Sequence, residues 1–79
     1  MPHTIEVLLE NKPGALLRTV GLITAMGCNV DRLQIDPDPA HTGLSRMILV
    51  ADLTPRQLDL VLRKMRSVIH VVRAEETES

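Results

Sequence analysis

Hydrophobic periodicity switches repeatedly along this 79-residue chain, and the order of the switches restricts the fold more than any other feature. Apolar residues at every second position are typical of a strand, and apolar residues three and four apart are typical of a helix. Strand-like runs occupy residues 3–9, 29–36, 44–51 and 68–73, and helical spacing occupies residues 15–26 and the segment from residue 55. The pattern therefore predicts the element order β-α-β-β-α-β.

This order is typical of the α+β class and of a ferredoxin-like βαββαβ sandwich. Right-handed crossovers place both helices on one face of a four-stranded antiparallel sheet, with an expected spatial strand order of four, one, three, two. We expect a single domain over residues 1–74 and an acidic C-terminal tail over residues 75–79. Proteins with unrelated functions share this fold, so function has to be argued from particular residues.

Short local signals mark the helix boundaries. Thr54, followed three residues later by Gln57, predicts a capping box at the start of the second helix. Gly27 follows the first helical segment, at a position where glycine commonly ends a helix. Asn11 comes just before Pro13 and is placed to cap the first helix. Both helices are therefore expected to have defined ends.

Composition indicates a small domain that associates with a partner. The chain contains no Phe, Tyr or Trp, so its core is expected to be aliphatic and thin. A formal net charge of -1 provides no field that attracts nucleic acid or an anionic membrane. The single cysteine, Cys28, and the lack of a signal-like start or a run of about twenty apolar residues favour a cytoplasmic protein that does not span a membrane.

The residues that carry chemistry do not form a recognisable catalytic or metal-binding set. His3, His41 and His70 are scattered over a strand, a loop and another strand, with no nucleophile in a recognisable setting. Cys28 lacks a second cysteine or a histidine pair at zinc-binding spacing, so we expect it to be a small hydrophobe. RNA-binding modules of this topology stack bases on sheet aromatics, which this chain lacks. We therefore expect no enzyme activity, metal, cofactor or nucleic-acid ligand, and we expect His70 to be an ordinary strand residue.

The segment between the first strand and the first helix is the most informative about function. Gly14 lets a ligand approach the backbone, and the free N–H groups of a first helical turn are donors for a carboxylate such as that of an amino acid. Asn11 adds an amide that both donates and accepts, although a plain helix cap explains this residue equally well. A symmetric dimer through the second strand, an edge strand, carries Asn29 and Val30 toward the partner's Gly14 loop. Asn29 alone is also explained as a turn residue.

Three segments of the sequence resemble one known family. Residues 10–22 read Glu-Asn-Lys-Pro-Gly-Ala-Leu-Leu-Arg-Thr-Val-Gly-Leu and closely resemble the Glu-Asn-x-Pro-Gly-x-Leu-x-Arg-x-x-Gly-Leu signature of the acetolactate synthase small subunit. Residues 27–33 are similar to that family's Gly-x-Asn-Ile-x-x-Leu, and residues 43–47 resemble its Gly-Leu-Ser-Arg-Met. The matched segments are in register and cover the N-terminal two-thirds of the chain.

The resemblance implies an ACT domain that gives feedback control. In that family the domains pair, and valine or a related branched-chain amino acid such as leucine or isoleucine binds between them and restrains the catalytic large subunit. By position, the resemblance implies a homodimer through strand two and helix one. The ligand-binding residues that it implies are Asn11, Pro13, Gly14, Ala15 and Leu16 from one chain and Asn29 and Val30 from the other.

An alternative function follows from what the 79 residues do not include. The usual small subunit of this family has a second, C-terminal domain of similar size, so we expect a one-domain version or homologue. Such a chain is alternatively a structural subunit that supports the catalytic chain without responding to a ligand.

Overall fold

The computed structural model describes residues 2–77 and contains six elements in the predicted order. The strands are β1 (Pro2–Glu10), β2 (Asn29–Pro37), β3 (Leu44–Asp52) and β4 (Val71–Thr77), and the helices are α1 (Pro13–Ala25) and α2 (Pro55–Arg66).

The sheet is antiparallel throughout, and its strand order is β2-β3-β1-β4. This order, read from the other edge, is the predicted order four, one, three, two, so the ferredoxin-like topology is confirmed. Helix α1 joins β1 to β2 and therefore crosses over β3, whereas α2 joins β3 to β4 and crosses over β1. The two helices pack on the same face, and the other face of the sheet is open.

The core is aliphatic and lies between the sheet and the helices, as expected for a chain without aromatic residues. Strand β3 alternates strictly between buried and half-buried residues until its last position, so one side of the strand faces the helices. Helix α1 buries one line of residues four apart, and α2 buries Val61 and Met65. The buried apolar cluster comprises Ile5, Val7, Leu9, Ala15, Ile23, Met47, Leu49, Ala51, Leu53, Val61, Met65 and Ala74.

The start of α2 and the end of α1 follow from local sequence signals. The Thr54 hydroxyl accepts a hydrogen bond from the Gln57 N–H at 3.1 Å, and the Gln57 side chain accepts one from the Thr54 N–H at 2.9 Å. This reciprocal pair is the predicted capping box. Gly27 has a φ of 71° just after α1, a left-handed conformation that glycine adopts at little cost.

The fourth strand differs from its prediction. Residues 68–70 form a turn, and the strand begins at Val71 and extends to Thr77. The left-handed backbone of His70, with a φ of 80°, prevents the β-branched run from continuing as a strand. Glu75–Thr77, assigned to the tail by sequence, pair with β1, and residues 78–79 lie outside the described part of the chain.

The two edges of the sheet differ in how they are protected. Every residue of β2 is exposed, and three of its apolar side chains, Val30, Leu33 and Ile35, keep 38–40% of their surface in contact with solvent. At the β4 edge, the Arg66 guanidinium donates a hydrogen bond from Nε to the Ala74 carbonyl at 2.9 Å. The β2 edge is therefore the more open of the two.

Candidate ligand-binding site

Three loops meet at one end of the sheet, where β1 leads into α1. The Asn11 N–H donates to the Gly43 carbonyl in the β2–β3 loop at 2.8 Å. The Glu10 N–H donates to the His70 carbonyl in the α2–β4 turn, also at 2.8 Å. The segment that contains the predicted site is therefore held by main-chain hydrogen bonds on two sides.

The first turn of α1 offers fewer backbone donors than the sequence suggests. Pro13, at the first helical position, has no N–H, and both Ala15 and Leu16 donate to the Lys12 carbonyl at 3.0 and 3.2 Å. Within residues 2–77 the Gly14 N–H has no hydrogen-bond partner. The helix start therefore presents one free backbone donor to a ligand.

Gly14 is not required by the packing of the isolated chain. A Cβ built on Gly14 meets no atom within 4 Å, and its φ lies outside the left-handed region. A Cβ would therefore fit in this exposed position without strain. The packing of the isolated chain therefore gives no reason for a glycine at this position.

Asn11 does not cap the helix, so that prediction is wrong. The N-cap position is Lys12, which is extended and makes no side-chain cap hydrogen bond. The Asn11 side chain is exposed and forms no hydrogen bond with any other residue between 2 and 77. Its amide is thus available both as a donor and as an acceptor.

The charges beside the loop are already paired. Glu10 Oε2 lies 3.2 Å from Lys12 Nζ and 3.2 Å from His70 Nδ1. The Lys12 hydrogen bond is the main cause that lowers the pKa of Glu10, and the charges of Lys12 and His70 act in the same direction. His70, expected to be an ordinary strand residue, is instead a turn residue that contacts the base of the site.

The remaining predicted residues supply apolar surface. Ala15 is 2% exposed and belongs to the core, while Leu16 is half-buried and packs against that core. Val30 pairs with Ala51 of β3, whose side chain is in the core, so Val30 lies on the face of the sheet that carries the helices. Asn29, one residue earlier, alternates toward the other face at the beginning of the strand.

Within one chain the structure does not bring the two halves of the predicted site together. Asn29 pairs with Asp52, which pairs with Pro2, the first residue of β1. The Gly14 loop follows Glu10, the last residue of β1. Eight residues of extended strand separate these ends by roughly 25 Å, given a rise of about 3.3 Å per residue.

Ser45 was not among the predicted site residues, although the sequence contains a signal for it. Ser45 precedes Met47, Leu49 and Ala51 at two-residue spacing, so it continues the buried face of β3 as a polar residue. It pairs with Leu9, close to the start of α1, and is 3% exposed. A hydroxyl on an otherwise apolar strand face is the pattern that identifies it.

The described residues contain no cluster of metal-binding side chains at this site. No set of three or more His, Cys, Asp or Glu side chains between residues 2 and 77 is arranged to hold a metal ion. Neither helix in this range is long and apolar enough to cross a membrane. The candidate site thus offers one free backbone donor, the Asn11 amide and aliphatic side chains.

The fold and this site define a class of protein, a small open-faced α+β sandwich with an accessible helix start and an uncovered edge strand. A family model for the ACT domain matches residues 3–70. The chain belongs to the ACT domain family.

Curated relatives point to one branch of ACT proteins. The chain is 36% identical, over its full length, to a probable acetolactate synthase small subunit from Archaeoglobus fulgidus and covers 50% of that protein. It is 33% identical, over 96% of its length, to the acetolactate synthase isozyme 3 small subunit from Escherichia coli and covers 46% of that protein. The chain thus spans about half the length of these relatives.

Solved structures with the same fold include members of more than one group. The acetolactate synthase small subunit from Thermotoga maritima superimposes with a TM-score of 0.89 at 19% identity, over 99% of this chain and 48% of that one. The ACT domain from GTP pyrophosphokinase of Chlorobium tepidum gives a TM-score of 0.82 at 20% identity, over 98% of this chain and 97% of that one. Identities this low establish the shared fold alone.

Proposed function

We propose that this chain is a non-catalytic regulatory module of acetolactate synthase that binds valine or another branched-chain amino acid between two copies of itself. One observation carries the proposal: Gly14 and Val30 lie at opposite ends of the same sheet. Antiparallel pairing of two β2 strands brings Val30 of each copy to the Gly14 end of the other. Two equivalent sites then form across one two-fold interface.

The strand register makes this juxtaposition concrete. A two-fold axis near Leu33, the middle residue of β2, sets Asn29 opposite Pro37 of the second copy. Pro37 pairs with Ser45, and Ser45 pairs with Leu9, directly before the loop that starts α1. Asn29 and Val30 of one copy would therefore approach the Gly14 loop of the other.

Exposed apolar surface on β2 supports its use as the dimer edge. Val30, Leu33 and Ile35 lie on the helix side of the sheet, yet each is 38–40% exposed because neither α1 nor α2 covers β2. Pairing of two β2 strands buries these three aliphatic side chains and also satisfies the open row of backbone donors and acceptors. Both changes favour association. The β4 edge differs in that Arg66 occupies the Ala74 carbonyl and one exposed valine, Val72, lies on the strand.

Helix α1 carries a matching exposed stripe. Leu17, Gly21 and Thr24 are spaced four and three residues apart on its outer side, and Leu17 is 76% exposed. A glycine inside a helix costs roughly 1 kcal/mol relative to alanine, and a Cβ at Gly21 meets nothing within 4 Å. Close approach of α1 from the second copy gives a reason both for the exposed leucine and for the glycine.

The chemistry of the loop suits a small aliphatic amino acid. The free Gly14 N–H is a donor for the α-carboxylate, and the unengaged Asn11 amide is an acceptor for the ammonium group. Leu16 from one copy and Val30 from the other supply an apolar enclosure for a branched side chain. Pro13 fixes the backbone at the helix start, and Asn29 closes the site from the strand end.

The regulatory role rests on the relatives. Proteins that match nearly the whole chain are named small subunits of acetolactate synthase, so the proposed partner is the catalytic large subunit of that enzyme. A cytoplasmic location, expected from the sequence, is part of the same proposal.

A ligand-independent structural subunit is the second candidate. The observation that favours it is the small number of donors at the α1 start, where Ala15 and Leu16 already donate to Lys12. In that case the module binds the catalytic chain and supports its activity without responding to valine.

Titration calorimetry against valine, leucine and isoleucine tests the proposal. We expect heat of binding with at least one of them and none for Gly14→Asp, whose carboxylate would repel that of the ligand. The matched control is Leu60→Asp, which adds the same charge on α2, where Leu60 is 42% exposed. Because Gly14 has open space around it, circular dichroism is expected to show both variants folded.

Reconstitution with the catalytic large subunit separates the two candidates. If the module gives feedback regulation, the activity of the reconstituted enzyme falls when the amino acid found by calorimetry is added. With the Gly14→Asp variant, the same addition leaves the activity unchanged. Support of activity with no heat for any of the three amino acids would instead establish the structural role and remove the sensing function.

A further inference from the structure

Ser45 is the one buried polar side chain in the described residues whose hydrogen-bonding capacity is unused. Two polar residues are buried in this range, Thr19 at 0% and Ser45 at 3% exposure. The Thr19 hydroxyl donates to the Ala15 carbonyl at 2.7 Å, whereas the Ser45 hydroxyl has no partner within residues 2–77. No fully enclosed side-chain oxygen in this range lacks a partner, so the Ser45 oxygen keeps a small contact with solvent.

The position of Ser45 relates it to the start of α1. Its side chain shares a strand face with Met47 and Leu49, which belong to the core beneath the helices. Helix α1 crosses over β3, and its first turn lies at the end of the sheet where Ser45 pairs with Leu9. The hydroxyl and the free Gly14 N–H are therefore at the same end of the sheet, on the side that carries the helices.

The donors available at this end are few for an ionised carboxylate. A carboxylate removed from water needs several donors to offset its lost hydration. One comes from the Gly14 backbone, and the cation of the loop, Lys12, already contacts Glu10 at 3.2 Å. A partly accessible hydroxyl without a partner is the kind of group that completes such a set.

We infer that Ser45 is a further specificity-determining residue of the amino-acid site, and that its hydroxyl donates a hydrogen bond to the α-carboxylate of the ligand from the sheet side. The inference rests on the proposed function, since it assigns one more contact to the same site. The Ser45 O–H and the Gly14 N–H then approach the carboxylate from different elements, β3 and α1. A ligand that lacks the negative charge at this position gains much less from the contact.

Calorimetry with two ligands and two matched variants tests the role. The ligands are valine, or whichever branched-chain amino acid binds the wild-type chain, and its neutral carboxamide. Ser45→Ala removes the hydroxyl at the site, and Ser67→Ala removes an exposed one that donates to Lys64 at 2.7 Å. Loss of a hydrogen bond to a charged group predicts a Kd for the amino acid that is weaker by about tenfold or more in Ser45→Ala. Ser67→Ala is expected to bind like the wild type.

The carboxamide distinguishes a ligand contact from a general loss of packing. We expect Ser45→Ala to change carboxamide binding by much less than amino-acid binding, and to unfold at the wild-type temperature, since no hydrogen bond is lost in the free chain. Ser45→Cys, which keeps a group at the same place but is larger and a weaker donor, should reproduce the loss. If Ser45→Ala binds the amino acid as tightly as the wild type does, or loses the same affinity for both ligands, the role of Ser45 is overturned and the sensing function is not. If the wild-type chain binds no amino acid, both the sensing function and the role of Ser45 are overturned.

Discussion

The His70 carbonyl accepts a hydrogen bond from the Glu10 N–H at 2.8 Å, and the His70 ring nitrogen Nδ1 lies 3.2 Å from the Glu10 carboxylate. Two residues 60 positions apart in sequence are thus joined through both main chain and side chain. The turn before β4 thereby positions the residue that precedes the candidate ligand loop.

The left-handed backbone of His70 predicts an unusual order of stability among its variants. At a φ of 80° a side chain with a Cβ is strained, and glycine is not. We expect His70→Gly to be more stable than His70→Ala by about 1 kcal/mol, because both lose the ring contact but only the alanine variant keeps the strain. Urea unfolding monitored by circular dichroism measures the difference. Equal stability of the two variants would show that the turn relaxes when the imidazole is removed.

The Glu10–Lys12 pair predicts a pH-dependent effect on stability. Because the Lys12 hydrogen bond lowers the pKa of Glu10 below its ordinary value of 4.5, the pair stabilises the fold above the unfolded-state pKa, and this contribution disappears as pH falls through the folded-state pKa. Lys12→Ala should raise the pKa of Glu10, as measured by NMR titration of its side chain. The stability difference from wild type should be largest at neutral pH and shrink in acid. Lys64→Ala, on α2, is the control and should leave the pKa of Glu10 unchanged.

Arg66 is expected to contribute both to stability and to protection of the β4 edge. Arg66→Ala removes the hydrogen bond to the Ala74 carbonyl and should reduce the free energy of unfolding by about 1 kcal/mol. It also leaves that carbonyl open to strand pairing, so assemblies larger than those of the wild type should appear in light scattering. Arg63→Ala, which breaks only the exposed pair with Asp59, should do neither. Identical behaviour of the two arginine variants would argue against edge protection by Arg66.

The proposed β2 interface predicts that a charge weakens the dimer on one face of the strand and leaves it intact on the other. Leu33→Lys places a charge among the exposed apolar side chains on the helix side, and should shift the chain toward monomer in size-exclusion chromatography with light scattering. Gln34→Lys places the same charge on the open side of the same strand, opposite Ile48, and should leave the dimer intact. A dimer that survives Leu33→Lys would place the interface elsewhere.

Local signals explain why most of the fold is predictable from sequence. Thr54 and Gln57 act on each other three residues apart, and Gly27 acts on its own backbone, so neither depends on distant parts of the chain. The strand order follows from the element order and the handedness of crossovers. The confirmed elements are those whose cause lies within a few residues.

The errors occurred where the cause is non-local. The run of Val68 and Ile69 has strand-like composition, but it forms a turn that ends at the left-handed His70. No pattern within the run reveals the contact that His70 makes with Glu10. Asn11 resembles a cap because Pro13 follows it, whereas the Gly43 carbonyl fixes its backbone instead. For the candidate site, the sequence predicted the loop residues and showed the resemblance to a known family. The distance between Gly14 and Val30 within one chain required the sheet register.

The main-chain bond from the Asn11 N–H to the Gly43 carbonyl has a consequence for how such a module can diversify. Any residue except proline at position 11 can donate the same hydrogen bond, so this link between the two loops does not depend on the side chain at that position. The side chain at position 11 can therefore be substituted without loss of this main-chain hydrogen bond. Under the proposed function, single substitutions at position 11 change which ligand is recognised while the backbone of the loop stays the same.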